Sequence, residues 1–168
     1  MIDSHCHLNF SGIRADIKNI IKRCEANGVN KLLTINTNPD EFDDHLNLIK
    51  DFDNIYIAYG IHPDKIIENT YLSFDDIENR IKNSRVIGIG ETGLDFYRSI
   101  EFKKKQYEIF ESHIRASKEF DLPIIIHQRD SEKEIIEVLK KYKNDKLKLV
   151  FHCFTGSNEL LQFCIENK

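Results

Sequence analysis

Short apolar runs alternate with longer amphipathic segments along the whole chain. The apolar runs are typical of strands and predict six of them, over residues 1–7, 31–36, 55–60, 86–90, 123–127 and 147–152. After each strand, apolar positions recur at helical spacing. This spacing predicts helices over 13–27, 39–51, 100–120 and 131–143, one that begins after Ser73, and one from Ser157 to the C-terminus. The order of elements is therefore that of six successive βα units.

Polar residues mark the predicted ends of several helices. Asn38 before Pro39 is an N-terminal capping signal, and so is Ser73 with Asp76 three residues later. The pair Asn27-Gly28 is a C-terminal stop signal.

The predicted strands are apolar on both faces, as in the runs 124–126 and 149–151. Strands of this kind occur in parallel sheets that are covered by helices. Two α/β architectures fit this pattern: an open doubly wound sheet, and a TIM-barrel-like (β/α) fold.

His5 and His7 are two residues apart at the end of the first predicted strand. Residues at this spacing point to the same face of a strand. Two adjacent imidazoles can hold one metal ion, because neutral imidazole is a common nitrogen ligand. A plain pair of polar residues at a strand end is the alternative, and the positions of other ligand-type residues decide between the two.

Glu91, His127 and His152 also lie at the C-terminal ends of their predicted strands. In a barrel these ends converge on one mouth, where the active sites of that fold lie. In an open sheet, the first, fourth, fifth and sixth strands lie too far apart to share one site. The joint pattern therefore favours an incomplete barrel, with six of the usual eight units.

These five residues predict a site for two divalent metal ions. His5 and His7 are expected to hold one ion and His127 and His152 the other, with Glu91 as the bridging and catalytic residue. Paired ions activate water and stabilise the charge that develops on a displaced phosphoryl or acyl oxygen. Ligation that is rich in histidine suits zinc or manganese.

Four further residues near the strand ends are candidate substrate contacts. They are His62 after the third strand, Asp95 and Tyr97 after the fourth, and Arg129 after the fifth. Arg129 suits bidentate hydrogen bonding to a phosphate group. A surface ion pair is an equally good interpretation of this arginine.

The composition of the chain mainly excludes certain classes of protein. The 168 residues carry a net charge of -4, so the chain lacks the global basic character of a simple electrostatic nucleic-acid binder. They suffice for one domain, over 1–168, with a substantial core. No apolar run approaches the ~18 residues of a membrane span, and the N-terminus does not resemble a signal peptide. We therefore expect a cytoplasmic protein with no membrane partner.

Five motifs together resemble the TatD family of metal-dependent deoxyribonucleases, within the amidohydrolase-like barrels. They are IDSHCHL at 2–8, GIHP at 60–63, GIGETGLDFY at 88–97, PIIIHQRD at 123–130 and FHCFTG at 151–156. The resemblance implies a TIM-type barrel, magnesium-supported activity and hydrolysis of DNA phosphodiesters, often from the 3′ end. It also implies a set of metal ligands, namely His5, His7, Glu91 as the bridge, His127 and His152.

The chain departs from the family pattern at its C-terminus. The family has a further Asp ligand at the end of its last strand, and no residue of this chain matches it. We therefore expect a C-terminally truncated domain whose activity is impaired by the loss of that ligand. The outer edges of the first and sixth strands would then be unpaired and apolar, and such edges favour self-association.

Three functions are compatible with these observations. The first is a divalent-metal-dependent deoxyribonuclease, with DNA as its substrate. The second is a related barrel hydrolase of amides, lactones or phosphotriesters, although Glu91 in place of a bridging lysine favours the nuclease. The third is an inactive truncated or split-gene product.

Overall fold

The computed structural model describes residues 1–143 and 146–167 and contains one six-stranded parallel sheet. Its strands are β1 (Ile2–Cys6), β2 (Lys31–Ile35), β3 (Ile55–Tyr59), β4 (Val86–Asp95), β5 (Ile124–Arg129) and β6 (Leu149–Phe151). The strands lie in chain order, and each pairs in parallel with the next. The six strands and their parallel arrangement are confirmed, but two predicted bounds are wrong. Strand β4 continues past residue 90 to Asp95 and so includes Glu91, and β6 is shorter than the predicted 147–152.

In the described part of the chain, seven α-helices connect or follow these strands. They are α1 (Ser11–Arg14), α2 (Ile17–Ala26), α3 (Phe42–Ile49), α4 (Phe74–Ile81), α5 (Lys103–Glu119), α6 (Glu132–Lys140) and α7 (Asn158–Glu166). Short 3-10 turns cover Pro39–Glu41, Pro63–Lys65 and Ile100–Phe102. The helix predicted over 131–143 is shorter than expected, and the predicted extension of the last helix reaches a residue outside the described ones.

The single helix predicted over 13–27 is wrong in one respect, because it is broken into α1 and α2. The break lies at Asp16, whose backbone φ of -121° and ψ of 22° are not helical. The Asp16 carboxylate accepts a hydrogen bond from the Asn19 side chain at 2.6 Å. The backbone therefore leaves the helical conformation at Asp16, and α2 begins directly after it.

The capping signals behave largely as predicted. Ser73 and Asp76 form a reciprocal capping box at the start of α4, and the Ser157 hydroxyl accepts bonds from two backbone N–H groups at the start of α7. Asn38 caps the short 3-10 turn that leads into α3, rather than α3 itself.

The sheet has an outer face packed on helices and a small inner face. Ile57, Tyr59 and Ile77 are almost fully buried in the outer core cluster. The inner cluster is smaller and contains Ile35, Ala58 and Ile125. This inner face carries the strand-end residues that form the candidate site.

The sheet curls so that its two ends approach each other. His5 lies on β1 and His152 directly follows β6, at opposite edges of the sheet, yet their rings stack with centroids 4.2 Å apart. An extended open sheet would separate these strands by four others. The TIM-barrel-like class is therefore confirmed, in the form of a curled six-stranded sheet.

A local irregularity in β4 determines where Glu91 points. Ile89 pairs with Ile124 and Thr92 with Ile126, so β4 uses one residue more than β5 between these pairs. Ile89 and Thr92 both face the helices, since Ile89 belongs to the outer core and Thr92 contacts α5. A bulge of this kind re-aims a side chain, and here it turns Glu91 inward.

Within the described residues, β1 and β6 form the two edges of the sheet. Ile2 on β1 and Val150 on β6 are exposed apolar residues. Association through these edges remains a prediction. No helix in the described part of the chain has the length and apolar character needed to span a membrane.

Candidate metal centre

The site is built around the carboxylate of Glu91, which is only 2% exposed. On one side, Glu91 Oε2 lies 3.3 Å from His5 Nε2 and 3.9 Å from His7 Nε2. The two histidine rings are 5.3 Å apart between centroids. They therefore share one side of the carboxylate, as their spacing along β1 predicts.

Three further histidines surround the other oxygen of Glu91. Glu91 Oε1 lies 2.6 Å from His152 Nε2, 3.0 Å from His127 Nδ1 and 3.3 Å from His62 Nε2. His62 Nε2 is also 3.2 Å from His127 Nδ1. The structure thus brings together all five predicted ligands and adds His62, expected only as a substrate contact, to the cluster.

The electrostatics of the cluster follow from this crowding of one carboxylate by imidazoles. Burial by itself raises the pKa of Glu91, but hydrogen bonds with His127, His152 and other histidines outweigh burial and hold this pKa well below its usual range. Burial lowers the pKa of His7. Burial also disfavours charge on His62, but bonds with Asp64 and Glu91 raise its pKa to about 9.

The residues of the cluster fit a divalent metal site. His5 Nε2, the ring nitrogen that faces Glu91, is buried without a hydrogen-bond partner in the described structure, which is costly for a polar atom unless another group satisfies it. Two groups of three ligand atoms lie close enough to share an ion, and both include Glu91: one with His5 and His152, the other with His62 and His127. Imidazole and carboxylate ligands suit zinc, manganese and similar divalent ions.

Asp95 lies behind His127 and is fully buried. Its Oδ2 is 3.0 Å from His127 Nε2, and its Oδ1 accepts bonds from the backbone N–H groups of Tyr97 and Arg98. A carboxylate bonded to the outer nitrogen of a ligand histidine fixes the ring and makes it a stronger ligand. The geometry thus favours an orienting role for Asp95 over the substrate contact expected from the sequence.

His113 of α5 supports the backbone on both sides of the cluster. Its Nε2 accepts a bond from the N–H of Ile61, which precedes His62. Its Nδ1 lies 3.1 Å from the hydroxyl of Thr92, which follows Glu91. Because burial lowers the pKa of His113 to about 4, the ring is neutral and can accept the Ile61 bond.

His45 of α3 supports the end of β1 in a similar way. Its Nε2 is 2.9 Å from the Thr34 hydroxyl. That hydroxyl accepts a bond from the N–H of Leu8 and donates to the carbonyl of Cys6. These bonds flank His7 and fix the backbone from which it projects.

The supporting roles of these two histidines were not predicted from the sequence. The available signal was their helical spacing, since His45 lies three residues after Phe42 and His113 lies four after Ile109, both on buried helix faces. This spacing predicts burial of each ring, but it does not identify the strand that each ring contacts.

Burial of the His45 ring leads us to expect that the chain loses stability in acid. Burial lowers its pKa to about 4 in the folded chain, so the unfolded chain binds the proton more tightly. The contribution of neutral His45 to the free energy of unfolding is fully present above pH 6.5. It is lost as the pH falls towards 4, and the loss amounts to about 3 kcal/mol at most. His45→Gln keeps a donor for Thr34 without this titration.

Urea unfolding at pH 7 and pH 4.5, for the unchanged chain and for His45→Gln, measures the effect. We expect the variant to lose less free energy of unfolding on acidification. An equal loss in the two proteins would contradict the assignment of this acid sensitivity to His45.

A cavity of about 230 Å³ opens beside the cluster. Ten residues line it: His7, Phe10, Thr37, His62, Asp64, Lys65, Glu91, Arg98, His127 and His152. Tyr97 and Arg129 lie outside this lining and stack on each other, with the guanidinium 3.9 Å from the ring centroid. Phe10, Lys65 and Arg98 were not predicted to belong to the site, although each lies within a few residues of a predicted site residue.

A family model described as "TatD related DNase" matches residues 2–168. The chain belongs to this family. The match confirms the resemblance carried by the five sequence motifs. A relative named as a metal-dependent hydrolase is consistent with the ligand-type residues gathered around Glu91.

Individual relatives agree with the family assignment. The chain is 32% identical to an uncharacterized metal-dependent hydrolase of Bacillus subtilis over 99% of its own length and 65% of the relative. It is 28% identical to the 3'-5' ssDNA/RNA exonuclease TatD of Salmonella typhimurium, over 99% and 64% of the two chains. The crystal structure of YJJV, a TatD homolog from Escherichia coli, superimposes with a TM-score of 0.88 at 25% identity, covering 99% of this chain and 64% of that one. The chain thus spans somewhat less than two thirds of the length of these relatives.

Proposed function

We propose that this chain is a divalent-metal-dependent hydrolase that removes nucleotides from the 3′ end of DNA by cleaving phosphodiester bonds. The observation that carries the proposal is the cluster of five histidines within 4 Å of the buried Glu91 carboxylate. The relative from Salmonella typhimurium, which is named as an exonuclease of single-stranded DNA and RNA, supports this choice of substrate.

The proposed site holds two ions of magnesium, manganese or zinc. His5 and His7 would hold one and His127 and His152 the other, with Glu91 shared between them. The ligand atoms that lie close enough to share an ion also group His5 with His152, and His127 with His62. When bound, such ions supply an activated water molecule and stabilise the developing charge on a phosphoryl oxygen. Asp95 contributes by holding the His127 ring through Nε2, which leaves Nδ1 directed at Glu91.

Other residues of the cavity fit the binding of a phosphodiester. His62 is held by Asp64, 2.7 Å from its Nδ1, and lines the cavity, so it is a proposed contact for the substrate phosphate. Lys65 and Arg98 each lie 3.9 Å from an Asp64 oxygen. These local cations can attract a phosphate despite the net charge of -4. Arg129, beside the exposed Tyr97 ring, is the proposed contact for a phosphate further along the strand.

We infer that the chain acts in the cytoplasm, in keeping with its four free cysteines, Cys6, Cys24, Cys153 and Cys164. Activity is expected to require no membrane.

A labelled-oligonucleotide assay tests the proposed function. Single-stranded DNA labelled at its 5′ end is incubated with the chain and magnesium or manganese, and products are resolved by length. We expect a ladder that shortens from the 3′ end and that EDTA abolishes. Turnover of small esters, lactones or amides with no cleavage of DNA would overturn the proposal in favour of the related barrel hydrolases. No turnover of any substrate by folded, metal-loaded protein would favour an inactive chain.

A further inference from the structure

Phe10 is a large aromatic residue in an unusual position beside the cluster. It lies in the turn between β1 and α1, directly before Ser11, and is 53% exposed. Its ring stacks on the His7 ring with centroids 4.7 Å apart and planes 7° apart. Because one face of the ring lies against His7 and half of the residue remains exposed, an aromatic surface is presented to solvent at the cavity.

The place of Phe10 within the cavity separates it from other exposed aromatic residues. It lines the same cavity as Glu91, Lys65 and Arg98. Tyr71, which is 81% exposed, does not belong to that lining. The turn that carries Phe10 is also held in place, since the Phe10 carbonyl accepts bonds from the N–H groups of Ile13 and Arg14.

An aromatic face next to a phosphate-binding centre is chemically suited to a nucleobase. Every base has a flat π-face, so stacking on an aromatic side chain binds any base without reading the sequence. The base must be unpaired and free of one stacking neighbour for its face to reach the ring. His7 lies between Phe10 and Glu91, so the platform is one side chain away from the carboxylate.

We propose that Phe10 is the stacking platform for an unpaired nucleobase next to the scissile phosphodiester. This inference rests on the proposed function and adds to it a subsite for the base, with Lys65 and Arg98 facing the adjoining phosphate. The subsite favours single-stranded ends of any sequence over paired ends.

The test combines protein variants with substrates that lack one base. We expect Phe10→Ala to raise KM for single-stranded DNA by about 5- to 100-fold, with a smaller change in kcat. Phe10→Tyr keeps the aromatic face and should recover most of this binding. Tyr71→Ala removes an exposed aromatic residue elsewhere and is the matched control.

Abasic substrates distinguish stacking from simple packing against His7. One oligonucleotide carries an abasic site at the 3′-terminal nucleotide and another at the penultimate nucleotide. For one of these two substrates, KM of the unchanged chain should rise by the same factor as KM of Phe10→Ala rises on intact DNA. KM of Phe10→Ala should not rise further on that abasic substrate. If the effects of the missing base and of Phe10→Ala on KM multiply for both substrates, the proposal is overturned, because Phe10 would then act independently of the base.

A binding measurement keeps this inference separate from the proposed function. If the metal-loaded chain leaves DNA uncut, the proposed function fails at that step, and fluorescence of 2-aminopurine at the same two positions is measured instead. The platform is supported if the fluorescence of 2-aminopurine is quenched when the DNA binds the unchanged chain or Phe10→Tyr, and is not quenched by Phe10→Ala. Identical fluorescence in the unchanged chain and in Phe10→Ala would overturn it.

Discussion

Glu91→Gln is expected to abolish metal-dependent hydrolysis while leaving the chain folded. The amide has nearly the shape of the carboxylate, but it lacks the negative charge that faces five histidine rings. Loss of a group that only orients a metal ligand already costs about 10- to 100-fold in affinity or activity. For a residue that faces both halves of the site, we expect a loss of at least about a hundredfold.

Two measurements on the same protein test this expectation. The rate of cleavage is compared at saturating manganese, and the rise in melting temperature with manganese is compared because an ion that binds only the native state must stabilise it. Both should be lost in Glu91→Gln. Glu25→Gln, an isosteric change at an exposed position on α2, is the control and should retain both. Cleavage by Glu91→Gln within a few-fold of the unchanged chain would contradict the central role of this carboxylate.

Gly93→Ala is expected to destabilise the fold by about 3 kcal/mol or more. Gly93 has a φ of 139°, in a region that side chains rarely adopt. A Cβ atom here would lie 2.1 Å from the carbonyl oxygen of His127. Since backbone cannot move aside as a flexible side chain does, β4 and β5 would have to separate where they carry Glu91 and His127.

Gly12→Ala is the matched control for this substitution. No atom lies within 4 Å of the added Cβ at Gly12, and its φ is not positive. Alanine in place of glycine within α1 should change the free energy of unfolding by no more than about 1 kcal/mol, in the stabilising direction. Urea denaturation of both variants gives the comparison. Equal midpoints for Gly93→Ala and Gly12→Ala would show that the close approach of β4 and β5 is not needed.

Much of the fold was predictable because its signals are local. Capping depends on residues three positions apart, which is why Ser73 and Asp76 could be recognised as a capping box. The break at Asp16 was missed because one non-helical residue leaves the apolar pattern continuous on both sides of it. Periodicity reports which face of a helix is apolar, and it is insensitive to such a local interruption.

The candidate site was predictable where residue type and strand position suffice. His5 and His7 at strand spacing, with His127 and His152 at later strand ends, already indicate a common mouth. Phe10 and Asp95 were harder to place. Whether an aromatic ring or a carboxylate faces the cavity or lies behind a ligand depends on the course of the surrounding chain.

The sequence by itself determined the six parallel strands and the set of histidines that converge with Glu91, because strand ends in one curled sheet must meet. Only the tertiary structure decided how Glu91 faces them. Ile89 and Thr92 both point to the helices, so regular alternation would carry Glu91 in the same direction as Ile89. The extra residue in β4 reverses this direction, in a stretch where Gly90 and Gly93 lie too close to the backbone of β5 for a Cβ atom. Such packing between segments distant in sequence leaves no periodic signal along the chain.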